Sequence, residues 1–283
     1  MRKKNKIKIV ALPIFRYLRK LSIKYIEDGC IIMSSSIAFY FLFFIFPFVL
    51  LLISLSGILI NRFGVQSAIL GFVEERIPII YGFTESNIIK IVENRASIGI
   101  TGFIFLILST TYIFDSIQYS LNRIYKTKTQ RRYWKQKIFG FLIMTLILII
   151  VIISFLLSTS FFYLTNIIVD HFKLNESISS PLFKTISIML GLTFNFVIFS
   201  LIYFFGTNAK THFKYHIYKG ALFAAIAWEL SKHIYILYIY KFVNFEITYG
   251  SVGSIIGFLL WIYISSVILI MGAEINSLDL AEE

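Results

Sequence analysis

The chain has 283 residues, of which 58% are apolar and only 15% charged. The mean hydropathy is +0.80. An average soluble domain is near half apolar and a quarter charged, so this composition excludes a disordered chain and argues against a water-soluble globule. With 30 Phe and 17 Tyr, it points to an integral membrane protein. The net charge of +12 allows two readings, nucleic-acid contact or membrane topology, and the positions of the charges decide between them. The single cysteine, Cys30, excludes an intramolecular disulfide and a thiolate metal cluster. The first apolar stretch is too long for a signal-peptide core and no A-x-A-like site follows it.

The fold expected is all-α and polytopic, a single integral membrane domain over 1–283. A crossing helix needs about 20 apolar residues, and six windows qualify. Residues 1–28 precede them. Met1 to Lys8 reads as a solvated basic tail. Ile14, Phe15, Leu18, Leu21, Tyr25 and Ile26 keep helical spacing among basic residues, as in an interfacial amphipathic helix. The first span covers about 30–60, with Pro47 expected to kink it. The loop from Asn61 to Arg95 shows apolar helical spacing on both sides of Pro78 and reads as two short helices on the outer side. The second span covers about 97–122 and contains Asp115, the third about 138–167, and the fourth about 183–206 with Asn195. The fifth, about 218–240, is interrupted by Glu229, Lys232 and His233. The sixth covers about 250–276. The alternation of a β-barrel strand is absent.

The basic residues follow these spans. Nine lie before the first span, seven between Arg123 and Lys137, and three at Lys210, Lys214 and Lys219. These 19 of 27 fall on one side of a six-span chain, which places both termini in the cytoplasm. The +12 is then chiefly an orientation signal. It is compatible with anionic lipid contact through the N-terminal basic segment and the loop 123–137. No nucleic-acid partner is expected.

An ionisable residue within a span costs roughly 2.5–3.5 kcal/mol on insertion scales, and such residues pair or line a path. Glu229, Lys232 and His233 stand at i, i+3 and i+4, on one helix face. They read either as a substrate or proton site or as an ion pair that neutralises its own cost. Asp115 could neutralise Lys232 or an inner arginine, or bind a cation. Those four residues, Glu229, Lys232, Asp115 and His233, are the candidate transport path. Glu274 falls near the inner interface, where a salt bridge and a functional role both fit. Asn195 reads as an interhelical contact. Small residues at Gly220, Ala221, Ala224, Ala225 and Gly272 allow close helix approach.

Enzyme readings lack support. There is no phosphate-cradling G-x-x-x-x-G-K-[ST] loop and no G-x-S-x-G elbow. His212 and His216 have i, i+4 spacing but no accompanying glutamate. No metal, cofactor or catalytic residue is expected.

Three stretches resemble a known family. They are Ser34 to Tyr40 running on to Phe46-Pro47, Ser120 to Tyr125 ahead of the basic loop, and Tyr249 to Gly253 continuing through Leu260 to Tyr263 and Gly272 to Asn276. From about Tyr25 to Ser277 the chain is similar to the YihY/BrkB family of six-span bacterial inner-membrane proteins. It departs at Ser34 to Ser36, where that family tends toward alanine and leucine. The resemblance implies a multi-pass plasma-membrane protein. Family members have been labelled virulence or serum-resistance factors and ribonuclease BN, and some are linked to transport of lipid or envelope components. It therefore implies a transporter or flippase of a small or amphipathic solute, with a non-transporting membrane scaffold as the alternative. The matched positions Asn122, Arg123, Tyr249, Gly250, Trp261, Gly272 and Glu274 form a structural or family motif.

Overall fold

The computed structural model describes residues 17, 19–63, 81–127, 133–172, 176–208, 217–241 and 251–280. All its regular structure is helical. A short helix α1 (19–27) is followed by α2 (Cys30–Phe63), α3 (Tyr81–Ile124), α4 (Tyr133–Phe172), α5 (Glu176–Phe205), α6 (Ile217–Lys241) and α7 (Ser251–Leu280). Stretches long and apolar enough to cross a membrane lie in five of them, at Cys30–Leu55, Ala96–Ile124, Trp134–Ser154, Thr185–Phe205 and Ile256–Leu278. Helix α6 falls short of that standard because Glu229, Lys232 and His233 dilute its apolar content.

The structure differs from the sequence reading between Asn61 and Arg95. Helix α2 runs on to Phe63, and α3 begins at Tyr81 and continues unbroken for 44 residues. At 1.5 Å per residue α3 is about 66 Å long, roughly twice a hydrocarbon core. The segment expected to be a separate short helix after Pro78 is therefore the first third of a spanning helix. Charged residues such as Lys90 and Glu93, both exposed, end the apolar window without ending the helix. The other expected short helix, around Val65 to Val73, lies outside the described residues, as do Ile14, Phe15 and Leu18.

The helix ends follow local chemistry. Helix α1 closes with Asp28 N–H donating to Lys24 O (2.9 Å) and Gly29 N–H to Ile26 O (3.1 Å). Gly29 has φ +72°, a left-handed conformation that glycine adopts without penalty. The chain then turns directly into α2. Helix α3 ends in a similar turn, with Thr127 N–H donating to Asn122 O at 2.9 Å and Lys126 at φ 51°. Pro47 lies inside α2 without interrupting it.

The chain packs as two compact units, Phe39–Ile113 and the remainder. In the first, Tyr40 stacks on Tyr112 at 5.7 Å and 13°. A side chain at Gly102 would stand 3.3 Å from Pro47 O and 3.2 Å from Leu51 N, so the helix backbones cross closely there. The second unit holds α1, the start of α2, the end of α3, and α4 to α7. Its core lies where α1 meets the first turn of α2, the last turns of α3, α5 and α7 and the first turns of α6. This end carries Arg123, Lys126, Lys135, Lys137 and Lys219 and is termed the basic end. Leu121, Tyr203, Ala221, Ile270 and Ala273 are fully buried there. Gly220 and Gly272 let α6 and α7 touch backbone to backbone. A side chain on Gly220 would collide with Gly272 O and Asn276, and one on Gly272 with the Tyr203 hydroxyl and Gly220 O. The small residues read from the sequence thus mark a packing seam.

Candidate functional site

Two polar centres interrupt the apolar helices of this unit. The first surrounds Glu229 on α6. The α-helical repeat puts Lys232 and His233 over the same face. The Lys232 ammonium donates to Glu229 Oε1, and His233 Nε2 lies 3.6 Å from the same oxygen. The other oxygen, Oε2, turns toward α5, where Asn195 Nδ2 approaches at 3.4 Å. Gly191 opposes it, and a methyl group added there would come within 3.6 Å of Oε2. Glu229 is 5% exposed, while the Lys232 and His233 side chains are 35% and 51% exposed. One side of the carboxylate is therefore held by Lys232 and approached by His233 of its own helix, and the other has a long contact to Asn195 in the α5–α6 seam.

Aromatic residues floor this centre. The Lys232 ammonium sits 5.9 Å from the centre of the Trp228 ring, a distance at which the ring face attracts a cation. Trp228 Nε1 donates to Ser265 Oγ on α7 (3.2 Å). Trp261 packs against both Trp228 (5.5 Å) and Tyr235 (4.8 Å). The motif tryptophan thus packs the α6–α7 contact beside Lys232, while Glu229 turns toward α5.

Asp115 does not join this group. On α3 it pairs with the Lys137 ammonium of α4 and accepts from Gln136 Nε2 at 3.1 Å. The expected partners, Lys232 or an inner arginine, give way to the first turns of α4, which place a lysine and a glutamine beside it.

The second centre lies at the basic end and gathers most of the described motif residues. Glu274 is completely buried. Its carboxylate accepts from Lys24 Nζ (2.7 Å), Cys30 Sγ (3.1 Å) and Ser277 Oγ (3.2 Å). Asn276 Oδ1 accepts from Gly220 N–H at 2.7 Å, tying the first turn of α6 to α7. Its Nδ2 reaches the Tyr125 hydroxyl at 3.5 Å. Asn122 Oδ1 accepts from Asn208 N–H (2.9 Å) and Thr207 Oγ1 (3.2 Å), and Gln118 Nε2 donates to Asn208 Oδ1 (3.2 Å). Tyr203 donates to Leu269 O at 2.8 Å. Burial pushes the Tyr25 and Tyr125 phenols above their usual pKa. Arg123 lies beside Gly29. Tyr249 and Gly250, like His212 and His216, lie outside the described residues.

Lys24, Thr207 and Asn208 had no distinguishing signal in the sequence, since each is ordinary in its local segment. Gln118 and Asn276 did: each is an uncharged polar residue inside an apolar window. Among the described residues no cluster of three His, Cys, Asp or Glu could hold a metal ion.

Comparison with known proteins gives this arrangement a context. The sequence model of a family described as Virulence factor BrkB matches residues 22–282. YfkH of Bacillus subtilis, named as ribonuclease-like, is 26% identical over 87% of this chain and 88% of its own length. A UPF0761 membrane protein of Vibrio atlanticus is 26% identical over 97% of the chain and 85% of its own length. A UPF0761 membrane protein of Legionella pneumophila is 24% identical over 96% of the chain, which spans 64% of that relative. No solved structure matches the chain.

Proposed function

The chain belongs to the BrkB family of multi-pass membrane proteins, and on that premise we propose that it moves a small or amphipathic solute across a bacterial plasma membrane. In this reading α2 to α7 form six spans, with α6 crossing despite its charges. The basic end and both termini are cytoplasmic. Arg123, Lys126 and Lys135, all exposed, then meet anionic headgroups at the inner surface. The reading assigns no catalytic chemistry to the protein.

The observation that carries the transport reading is the half-satisfied Glu229 carboxylate. Burying a charge is tolerated when it is paired, and Lys232 provides that pairing through Oε1. Oε2, facing Gly191 and Asn195, is left able to accept a hydrogen bond or a proton from a solute in the α5–α6 seam. Asn195 Nδ2 offers that solute a donor. Lys232 and His233, partly exposed, can exchange partners as Glu229 changes its own. The solute class follows from the family resemblance, in which lipid and envelope components recur.

The alternative reading, a scaffold that organises envelope partners without transport, treats the Glu229–Lys232 pair as internal neutralisation. Lipid and metabolite profiling of a deletion strain separates the two. Transport predicts that the wild-type chain restores the profile and that Glu229→Gln, present at equal level and folded, does not. Full restoration by Glu229→Gln would remove the transport reading.

A further inference from the structure

A helix rises 1.5 Å per residue, so Glu229 stands about 18 Å beyond Ile217, where α6 begins. That is near the middle of a hydrocarbon core of about 30 Å. Lys232 and His233 take one side of its carboxylate, at Oε1. On the other side Oε2 accepts from Asn195 Nδ2 at 3.4 Å, long for such a bond, and a carboxylate oxygen has room for a second donor. No side chain of α5 covers it at position 191. The three atoms nearest to a methyl built on Gly191 all belong to the Glu229 carboxyl group: Oε2 at 3.6 Å, Oε1 at 3.9 Å and Cδ at 4.0 Å.

Three features of this face select among polar groups. It combines an acceptor, Oε2, with a donor, Asn195 Nδ2. Lys232 already neutralises Glu229, and His233 beside it adds only positive charge. It also lies where an unbonded polar group costs most. An ammonium only donates; it would turn its hydrogens on Asn195 Nδ2 and bring an uncompensated charge into the core. A phosphate or carboxylate only accepts, and it would meet the charge of Glu229. A hydroxyl donates to Oε2, accepts from Nδ2 and adds no charge.

We propose that the α5 side of Glu229 binds an uncharged hydroxyl group, so that the solute is a polyol or carries a sugar or glycerol headgroup. The inference rests on the transport reading of Glu229 and names its solute. Halfway across the bilayer the hydroxyl exchanges water for Glu229 Oε2 and Asn195 Nδ2. That exchange lowers the cost of taking a polar group through hydrocarbon. Gly191 sets the specificity of this face by leaving Oε2 open to a solute oxygen.

The test offers the full chain an equal mixture of monoglucosyl diacylglycerol, phosphatidylethanolamine and phosphatidylcholine with identical acyl chains. Native mass spectrometry reads which lipids stay bound. One added hydrogen bond to a charged group is worth about tenfold in affinity, so the glucosyl lipid is expected to be retained about tenfold over the other two. Gly191→Ala lays a methyl against Oε2 at van der Waals distance and leaves the Lys232 pair in place. It should bring the three lipids to parity with an unchanged melt. Asn195→Ala, which removes the donor, should lower the preference as well. A second arm follows free methyl glucoside by saturation-transfer NMR on the full chain in phosphatidylcholine nanodiscs. Binding in the lipid arm alone supports a headgroup hydroxyl, and binding of methyl glucoside supports a free polyol. Parity of the lipids in wild type with no methyl glucoside binding would overturn the proposal. A preference for phosphatidylethanolamine would do the same, as would a glucosyl preference that survives both substitutions. Such a failure, beside a deletion strain that Glu229→Gln leaves unrestored, keeps transport and changes only the solute. Full restoration by Glu229→Gln removes transport itself.

Discussion

Glu274 and Glu229 are both carboxylates buried on apolar helices, yet they are held in different ways. Glu274 takes Lys24 from a helix 250 residues earlier, Cys30 from the start of α2 and Ser277 from its own turn. Glu229 meets Lys232 and His233 of its own helix, three and four residues on, and one amide of a neighbour at 3.4 Å. A charge satisfied from several elements fixes those elements together. A charge satisfied chiefly from its own helix fixes little else and leaves one oxygen with a single long contact. The first arrangement is suited to holding the basic end, and the second to binding something.

Variants that strike the two regions sharpen this contrast. The largest loss is expected for Glu274→Ala, which strands Lys24 and empties the centre of the basic end. Breaking a buried pair by removing one partner costs about 3–5 kcal/mol, read as a drop in unfolding temperature in detergent or nanodiscs. Gly272→Ala comes next, since the added methyl meets the Tyr203 hydroxyl and Gly220 O. Overpacking of this kind costs about 1–3 kcal/mol, and the same melt checks it.

Alkaline pH probes the basic end without mutation. Burial raises the Tyr125 phenol in the folded protein, so the stability it contributes is complete below the unfolded value near 10 and is lost as pH rises above it. The slope is at most about 1.4 kcal/mol per pH unit, and Tyr125→Phe should flatten a stability-against-pH curve above about pH 10. Asp115→Asn should cost least. Its pair with Lys137 is partly exposed, and such pairs contribute about 0.2–1 kcal/mol. A melt lowered as far as that of Glu274→Ala would show that Asp115 belongs to the holding network.

The contrast also explains what the sequence made legible. The Glu229 centre is written in i, i+3 and i+4 spacing, which any helix brings together whatever the fold. The Gly220–Gly272 seam was legible for a similar reason, because small residues have few other uses in such helices. The partners of Glu274 were not legible. Nothing local links Lys24 to a residue 250 positions away, and Lys24 reads as one more positive charge in a basic segment. The Lys137 and Gln136 partners of Asp115 were not legible either, because its helix does not say which neighbour arrives. The length of α3 was hidden for another reason: charges such as Lys90 and Glu93 end the apolar window, whereas the helix itself continues. The apolar content of α6 is diluted by Glu229, Lys232 and His233, the same residues that form its polar centre.

The central claim is that Glu274 holds the fold while Glu229 is free to serve a ligand. The most direct test is to compare the thermal unfolding of Glu274→Gln and Glu229→Gln in the same bilayer. The account predicts that Glu274→Gln melts well below wild type and that Glu229→Gln loses less, because the Lys232 it leaves is already partly exposed and can turn away. Equal losses, or a larger loss for Glu229→Gln, would contradict it.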